Sequence, residues 1–358
     1  MIAISVIVPS YNSREFIEEC MDSIVQQSLK DIEIICVDAG SVDGTIEILE
    51  QYKKADDRIR VIISDKKSYG YQVNTGISCA KGEYIAIVES DDFIESSMYE
   101  KLYEYSKKTG ADIVKTPYIE YYNKRNQQIC YYADKLNAAL PIDHVFSMTE
   151  HGELLAYHAS VWAGIYKRPY LMDNGICFVE APKAGYVDVG FRQDSLLNTD
   201  KIAWYPDAMY CYRVSNRSSS TNNFDLPTMI LRWREAHKKL MEYPNKDKFS
   251  SYLIFDEYFN TLAYIGRIKL SNEQYNMLIG NFAFTENELI EKSRVLSDYL
   301  KREILAFKHD PGMFYRKKNS LFYLRAILYF IANHLMPKGT KRRKRIKKAL
   351  LINHGGQE

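Results

Sequence analysis

Short apolar runs alternate with amphipathic helical patterns over about the first 110 residues of the chain. The runs Ile4 to Val8, Ile32 to Val37, Val61 to Ile63 and Tyr84 to Val88 have the length and composition of buried strands. Apolar residues spaced three and four apart follow them, as in helices that bury one face. Four strand-helix units of this kind predict an α/β fold with a doubly wound, mostly parallel sheet and flanking helices.

Polar and turn-forming residues stand where the predicted strands end. A doubly wound sheet binds its ligands at the carboxyl ends of its strands, so we expect these residues to line one edge of the sheet. Asn12 and Glu15 also have the spacing of a capping box for the first helix. The residues that follow the first two strands are Pro9, Tyr11, Asn12, Asp38 and Ser41.

The fourth run leads into three carboxylates within four positions, Glu89 to Asp92. Carboxylates at the end of a parallel strand suit Mg²⁺ or Mn²⁺ that holds a diphosphate. A solvated acidic turn at the start of a helix has a similar composition, because Asp and Ser are common there. The polar residues at the other strand ends favour the metal.

Four motifs, at residues 5–12, 37–45, 80–85 and 89–93, resemble the family 2 glycosyltransferases with the GT-A fold in their order and spacing. The similarity covers about the first 220 residues and includes later blocks of the bacterial capsule and cell-wall members. It implies an inverting, metal-dependent enzyme that transfers a sugar from a nucleotide sugar, most simply a UDP-sugar. The acceptor would be a hydroxyl of a surface glycan or of a lipid-linked glycan.

The resemblance also assigns roles to single residues. Asp91 would coordinate Mn²⁺ or Mg²⁺, and Arg213 with residues 218–220 is similar to the segment that folds over the diphosphate. Asp188 would be the base that deprotonates the acceptor, and Asp194 is its rival if this block is shifted. The residues assigned to the nucleotide sugar are Pro9, Tyr11, Asn12, Asp38, Ser41, Tyr69, Gly70, Asn74, Glu89, Ser90, Asp91 and Arg213.

Four positions depart from the pattern that this family usually has. Ala39 and Val187 stand where acids are usual, and Glu89 replaces the first Asp of the metal motif. Val73 stands where an Arg near the diphosphate is often found. These departures leave open a non-catalytic relative that binds nucleotide sugars or acts as a scaffold. A nucleotidyltransferase on a related fold is disfavoured, because the Gly-rich loop that it would carry after the first strand is missing.

Composition favours a soluble enzyme of more than one part. The chain has 358 residues, of which 46% are hydrophobic and 26% charged. None of its six cysteines forms a C-x-x-C pair, and no secretory signal precedes the first strand, so a cytoplasmic location is expected. The predicted divisions are a GT-A domain at 1–225, a helical C-terminal region at 226–310, and an amphipathic helix with a basic tail at 311–358.

The tail at 311–358 has a charge of its own. It holds 12 Lys or Arg and one acid, a net charge of +11 in a chain of net charge +2. Its apolar stretch, 321–335, has only 15 residues and is too short for a confident membrane-spanning helix. An amphipathic helix lying on the anionic inner face of the cell membrane is one interpretation, and a helix docked on the catalytic domain is another. Nucleic-acid binding is not expected, since no recognised reading module accompanies the basic run.

Overall fold

The computed structural model describes residues 1–123, 126–130, 132–182, 185–216 and 225–244, followed by short stretches of which 287–292 and 298–310 are the longest. In chain order the strands are β1 (Ile4–Ser10), β2 (Ile32–Asp38), β3 (Ile59–Ile63), β4 (Tyr84–Ile87), β5 (Phe93–Ile94), β6 (Ile113–Lys115), β7 (Tyr118–Asn123), β8 (Asn126–Ile129), β9 (Gly164–Lys167), β10 (Ile202–Trp204) and β11 (Tyr210–Arg213).

The helices surround these strands. In chain order they are α1 (Ile17–Val25), α2 (Thr45–Ala55), α3 (Tyr69–Cys79), α4 (Met98–Thr109), α5 (Ala133–Ala139), α6 (Arg168–Asp173), α7 (Val187–Leu197), α8 (Leu226–Leu240), α9 (Asn287–Lys292) and α10 (Asp298–His309), with a 3₁₀ helix at Gly152–Ala156.

Seven strands form the main sheet, in the order β10-β6-β9-β4-β1-β2-β3. Strands β1, β2, β3 and β4 are parallel, as the apolar runs predict, and β1 and β2 are buried along their whole length. β9 runs antiparallel between β4 and β6. The start of β9 therefore lies at the same edge as the ends of β1, β2 and β4.

Close packing of α3 on the sheet brings its first turn to that edge. A side chain at Gly76 would place its Cβ 2.5 Å from the Ile7 side chain, so only glycine fits here without a shift. The first turn of α3 contains Tyr69 and Gly70, and Ser68 caps it by accepting a hydrogen bond from the backbone of Tyr71. The packing of one glycine thus helps to set the position of residues that the sequence assigns to the donor.

A second sheet stands beside the acidic turn. It has four strands in the order β5-β11-β7-β8. β11 lies antiparallel to β5 and parallel to β7, so the chain that follows Asp92 is paired directly with Tyr210 and Cys211. Trp162 stacks on Tyr210 with ring centroids 4.2 Å apart and joins the two sheets. This small sheet fixes both sides of the acidic turn.

The chain divides into two compact units, Met1–Leu253 and Ile254–Glu358. Helix α8 is part of the first unit, where Gln193 of α7 donates a hydrogen bond to the Ala236 carbonyl. The predicted domain boundaries at 225 and 310 stay predictions. The predicted tail lies outside the described residues apart from Gly312, as do residues 218–220. None of the helices in the part of the chain that the structure describes is long and apolar enough to cross a membrane.

Candidate active site

Residues from both ends of the first unit meet at the carboxyl edge of the main sheet. The loops after β1, β2 and β4 converge there, and the first turns of α3 and α7 with the end of β11 approach from the sides. These elements carry the residues that the sequence assigns to the site. They are Pro9, Tyr11, Asn12, Asp38, Ser41, Tyr69, Gly70, Asn74, Glu89, Ser90, Asp91, Asp188 and Arg213.

Asp38 ties together the loops that follow β1 and β2. Its carboxylate accepts hydrogen bonds from the hydroxyls of Ser10 and Ser41, both at 2.7 Å, and from the Ser41 backbone at 2.7 Å. The residue is 0% exposed. Asp38 thus holds the shape of the predicted nucleoside pocket from within, and its own contact with the nucleotide stays a prediction.

Asn12 crosses between the same two loops and does not cap α1. Its backbone N–H donates to the Ser41 hydroxyl at 2.7 Å, and its side-chain oxygen accepts from the Val42 backbone at 3.0 Å. Its φ of 50° lies in the left-handed region, which Asn tolerates better than most residues. Helix α1 begins at Ile17 without a side-chain cap, so the predicted capping box of Asn12 and Glu15 is wrong. Asn12 therefore contacts Ser41 and Val42, which are distant in sequence, instead of making the local contact of a helix cap.

Tyr11 is the exposed member of the β1 loop. Its side chain is 44% exposed, and the Lys67 ammonium donates to its hydroxyl at 2.8 Å. The same ammonium lies 4.7 Å from the centre of the Tyr11 ring. The outer wall of the predicted nucleoside pocket is therefore an aromatic ring with a cation beside it.

Glu89 lies half-buried at the end of β4. The Tyr69 hydroxyl donates to its carboxylate at 2.5 Å, and its backbone N–H donates to the Tyr210 hydroxyl at 3.0 Å. Burial raises the pKa of Glu89 to about 8, and the charges of Asp91 and Asp188 act in the same direction. Without a ligand, Glu89 therefore favours its neutral form near pH 7.

Asp91 and Asp92 have different surroundings. Asp92 is buried, and its carboxylate accepts from the Tyr210 hydroxyl at 2.9 Å and from the Arg213 backbone at 2.7 Å. Burial raises the pKa of Asp92 above its ordinary range. Asp91 is half-buried, and one of its carboxylate oxygens accepts from the Asn216 amide at 2.7 Å. Asp92 therefore shapes the turn, and Asp91 is the acid better placed to meet a ligand.

Arg213 supports the acidic turn from behind. Its guanidinium donates to the Asp91 backbone carbonyl at 2.8 Å and pairs with Glu19 at 2.5 Å. It also lies 4.9 Å from the centre of the Phe16 ring and is 9% exposed. In this arrangement the Arg213 guanidinium is bound to other groups of the protein. Its predicted contact with the diphosphate stays a prediction.

Asn74 and Gly70, which lie one turn apart in α3, contact the chain that leads to α7. The Asn74 amide exchanges two hydrogen bonds with the Phe178 backbone, each at 2.9 Å. A side chain at Gly70 would place its Cβ 2.1 Å from the Val179 carbonyl oxygen, so the two segments pass each other closely. Asn74 and Gly70 therefore fix the approach of residues 178–180.

Asp188 and Asp194 point to different surroundings, although both belong to α7. Asp188 is in the first turn, and its charge acts on Glu89 and Tyr69. Asp194 lies beyond the first turn, where Lys239 donates to its carboxylate at 2.5 Å. Val187 is 1% exposed and packs in the core, which explains how this position accommodates an apolar residue. The charge of Asp188 therefore acts on the acidic turn, whereas the carboxylate of Asp194 is bound by Lys239.

A metal at this edge would need ligands from outside the protein. Among the described residues, no group of three or more His, Cys, Asp or Glu side chains is placed to hold a metal ion. Mg²⁺ commonly uses one or two carboxylates together with substrate phosphates, rather than a cage made only by the protein. Asp91, with Glu89 two residues away, fits a site of that kind.

Sequence reasoning missed several residues that build this site. Asn216, Tyr210 and Lys67 contact predicted site residues through bonds that span 125, 121 and 56 positions, respectively. Ser13 also joins the β1 loop to Ser90, with 2.6 Å between the two hydroxyl oxygens. A polar residue shortly after a predicted strand was the signal for Ser13. Asn216 follows β11, a strand that was not predicted. No local pattern marks Lys67.

Comparisons with known proteins agree with this arrangement. Residues 5–137 match the family model for Glycosyl transferase family 2. The chain is 33% identical over 223 residues to the uncharacterized glycosyltransferase EpsJ of Bacillus subtilis, covering 60% of this chain and 62% of that protein. It is 45% identical over 114 residues to the poly(ribitol-phosphate) beta-glucosyltransferase of Bacillus spizizenii, covering 31% of this chain and 18% of that protein. The matches span less than two thirds of either relative.

The crystal structure of S. aureus TarS 1-349 in complex with UDP-GlcNAc is similar over 90% of this chain and 92% of that chain. The TM-score is 0.73 at 20% identity, a likeness of fold. The seven-stranded, mostly parallel sheet with its flanking helices agrees with the GT-A fold that the sequence predicts. The comparisons therefore support a family 2 glycosyltransferase with the GT-A fold, and the family match itself lies at residues 5–137.

Proposed function

We propose that this protein is an inverting glycosyltransferase that uses a nucleotide sugar as donor. The observation that carries the proposal is that the charge of Asp188, in the first turn of α7, acts on Glu89 at the carboxyl edge of the sheet. A carboxylate on a separate helix thus acts electrostatically on the turn that would hold the diphosphate. Donor and acceptor would meet between these two groups.

In the proposed reaction Asp188 acts as general base. Its carboxylate takes the proton of the acceptor hydroxyl as the hydroxyl oxygen attacks the anomeric carbon. The bond from that carbon to the diphosphate oxygen breaks on the opposite face, and the electron pair leaves with the nucleotide. A single displacement of this kind inverts the anomeric configuration.

Asp91, with Glu89 close by, would hold Mn²⁺ or Mg²⁺ together with the donor phosphates. A bound divalent cation supplies charge neutralisation that makes the diphosphate a better leaving group. Arg213 and Asn216 keep the Asp91 backbone and carboxylate in place, and Tyr69 orients Glu89. These contacts preorganise the turn before the donor arrives.

UDP is the proposed nucleotide, since TarS, which shares the fold, was solved with UDP-GlcNAc. A glycan of the cell surface is the proposed acceptor, in line with the poly(ribitol-phosphate) glucosyltransferase among the relatives. The basic tail at 311–358 would bring the enzyme to a lipid-linked acceptor at the cytoplasmic face of the membrane. Loss of liposome binding on deletion of 311–358, with turnover of a soluble acceptor retained, would support that location.

The test of the function is turnover of UDP-sugars by the purified full-length protein with Mn²⁺. We expect slow hydrolysis without an acceptor and faster transfer with one, and NMR of the product should show an inverted anomeric centre. Asp188→Asn should bind UDP and lose turnover. A protein that binds UDP-sugars and never cleaves them, with or without acceptors, would instead be the non-catalytic relative that Ala39 and Val187 allow.

A further inference from the structure

The predicted diphosphate position is rich in acids. Glu89 and Asp91 belong to the acidic turn after β4, and Asp188 lies in the first turn of α7. A diphosphate brings further negative charge, and one divalent cation offsets only two units of it. A protein cation beside the diphosphate would therefore strengthen donor binding.

Position 73 cannot supply that cation. Val73 stands where an Arg is often found in related sequences, and in the structure it is 0% exposed within the main core. A charged side chain at this position would be buried in the core, where α3 packs on the main sheet. The cation has to come from another segment.

Several cations near this edge already have partners. Arg14 donates to the Asp43 carbonyl at 3.1 Å, and Arg213 pairs with Glu19. Lys66 lies over the Tyr71 ring and reaches Glu180 at 3.7 Å. Each of these charges is directed toward a group of the protein.

Lys67 is placed differently. It is exposed, and its ammonium donates to the hydroxyl of Tyr11, a neutral and exposed group at the end of β1. No ion pair within the described part of the chain includes Lys67. Ser68 follows directly and caps α3, so the backbone beside Lys67 is held and the side chain alone has to move. A cation thus stands beside the mouth of the predicted donor pocket, and no acid among the described residues forms an ion pair with it.

We propose that Lys67 supplies the cation for the donor diphosphate, with Tyr11 holding its ammonium beside the pocket when no donor is bound. The inference rests on the proposed function. On donor binding the ammonium exchanges a hydrogen bond to a neutral phenol for one to a phosphate oxygen. Charge-assisted hydrogen bonds of this kind are shorter and stronger than neutral ones. The lysine takes over, from a different segment, the part that an arginine at position 73 would play.

The test is calorimetric binding of UDP, UMP and uridine to the full-length protein with Mn²⁺ present. Lys67→Ala should weaken UDP binding about 10- to 100-fold, as expected for loss of one charged hydrogen bond. UMP binding should weaken less, and uridine binding should not change. Lys67→Arg should restore most of the UDP affinity. Lys66→Ala is the matched control, because its ammonium is directed to Glu180, and it should bind UDP as the unmodified protein does.

Equal UDP affinity in the unmodified protein and in Lys67→Ala would overturn the inference and leave the proposed function standing. An equal loss for uridine would also overturn it, since Lys67 would then contact the nucleoside. If the unmodified protein binds no UDP, the proposed donor is wrong and the inference falls with it. Melting temperatures of all variants verify that the changes in affinity come from folded protein.

Discussion

The Asn216 amide donates a hydrogen bond of 2.7 Å to the Asp91 carboxylate, across 125 residues of sequence. Arg213, from the same segment, holds the Asp91 backbone carbonyl at 2.8 Å. The end of β11 and the residues that follow it therefore orient the acid that is proposed to meet the metal. One oxygen of Asp91 is turned toward the protein by this contact, which limits the ways in which the carboxylate can bind a cation.

Asp91→Asn should abolish turnover, because an amide places no negative charge on a divalent cation. Glu89→Gln should reduce turnover far less if Glu89 reaches the cation only through water. The measurement is transfer rate against Mn²⁺ concentration for both variants. Full activity of the unmodified protein in EDTA would contradict the metal assignment.

Asn216→Ala should weaken Mn²⁺ binding in the presence of UDP by about tenfold. Loss of a side chain that orients a metal ligand typically has an effect of this size or larger. UDP binding measured in EDTA should change little, because the amide contacts Asp91 and not the nucleotide. Titration of Mn²⁺ by electron paramagnetic resonance checks this. An equal loss of UDP affinity with and without the metal would show that Asn216 touches the donor itself.

Asp188→Asn should lower kcat by about 10² to 10⁴, the usual contribution of a positioned base, with UDP affinity nearly unchanged. Asp194→Asn removes a partner of Lys239 and should mainly lower stability. Single-turnover rates and urea unfolding of both variants separate the two effects. Reversed results would assign the base to Asp194.

Asp38→Ala should lower the free energy of unfolding by about 1–3 kcal/mol, since buried donors of Ser10 and Ser41 lose their acceptor. It should also raise the dissociation constant of the donor, because both loops of the nucleoside pocket lose their common anchor. Asp38→Asn keeps the shape and is the matched control. A variant with unchanged stability and weakened UDP binding would point to direct contact of Asp38 with the nucleotide.

Lys115 should make stability depend on pH. The residue is buried, and its ammonium donates to the Ser160 carbonyl at 2.5 Å. Burial, together with the charge of Arg192, lowers the pKa of Lys115 to about 7. An unfolded lysine keeps its proton to about pH 10.4, so above pH 7 the unfolded state binds a proton that the folded state has lost. The free energy of unfolding should therefore rise with pH in that range, by up to about 1.4 kcal/mol per unit.

The matched variant for this effect is Lys115→Met. This variant lacks the titrating group. The part of the rise in the free energy of unfolding that Lys115 causes should therefore be missing between pH 7 and about 8.5, where few other side chains titrate. Urea unfolding at several pH values provides the measurement. An identical pH slope in both proteins would mean that Lys115 stays charged in the folded state.

The main sheet and the position of the site were predictable because their signals are local. Apolar runs such as Ile4 to Val8 mark strands of the core, and the polar residues after them must lie at one edge. The antiparallel β9 and the second sheet were not predicted, since pairing such as Tyr210 with Ile94 joins segments far apart in the chain.

The partners of individual side chains were harder to foresee than the strands. Asn12 has the residue type and spacing of a helix cap, yet Val42 and Ser41 outcompete that local contact. Arg213 was expected to face the diphosphate, and its contacts with Glu19 and three aromatic rings depend on packing that no motif encodes. Val187 stands where an acid was expected, and its side chain packs in the core because this position of α7 faces inward.

The burial of Asp92 has a consequence for how the molecule comes to be assembled. Its two hydrogen-bond donors, Tyr210 and Arg213, lie 118 and 121 residues further along the chain. A segment that ends at residue 137, where the family match ends, contains the acid and lacks both donors. Burying the carboxyl without them carries a large desolvation cost. Residues 5–137 alone therefore cannot form the acidic turn with its hydrogen bonds to Asp92. A fragment intended to bind the donor has to extend beyond Asn216.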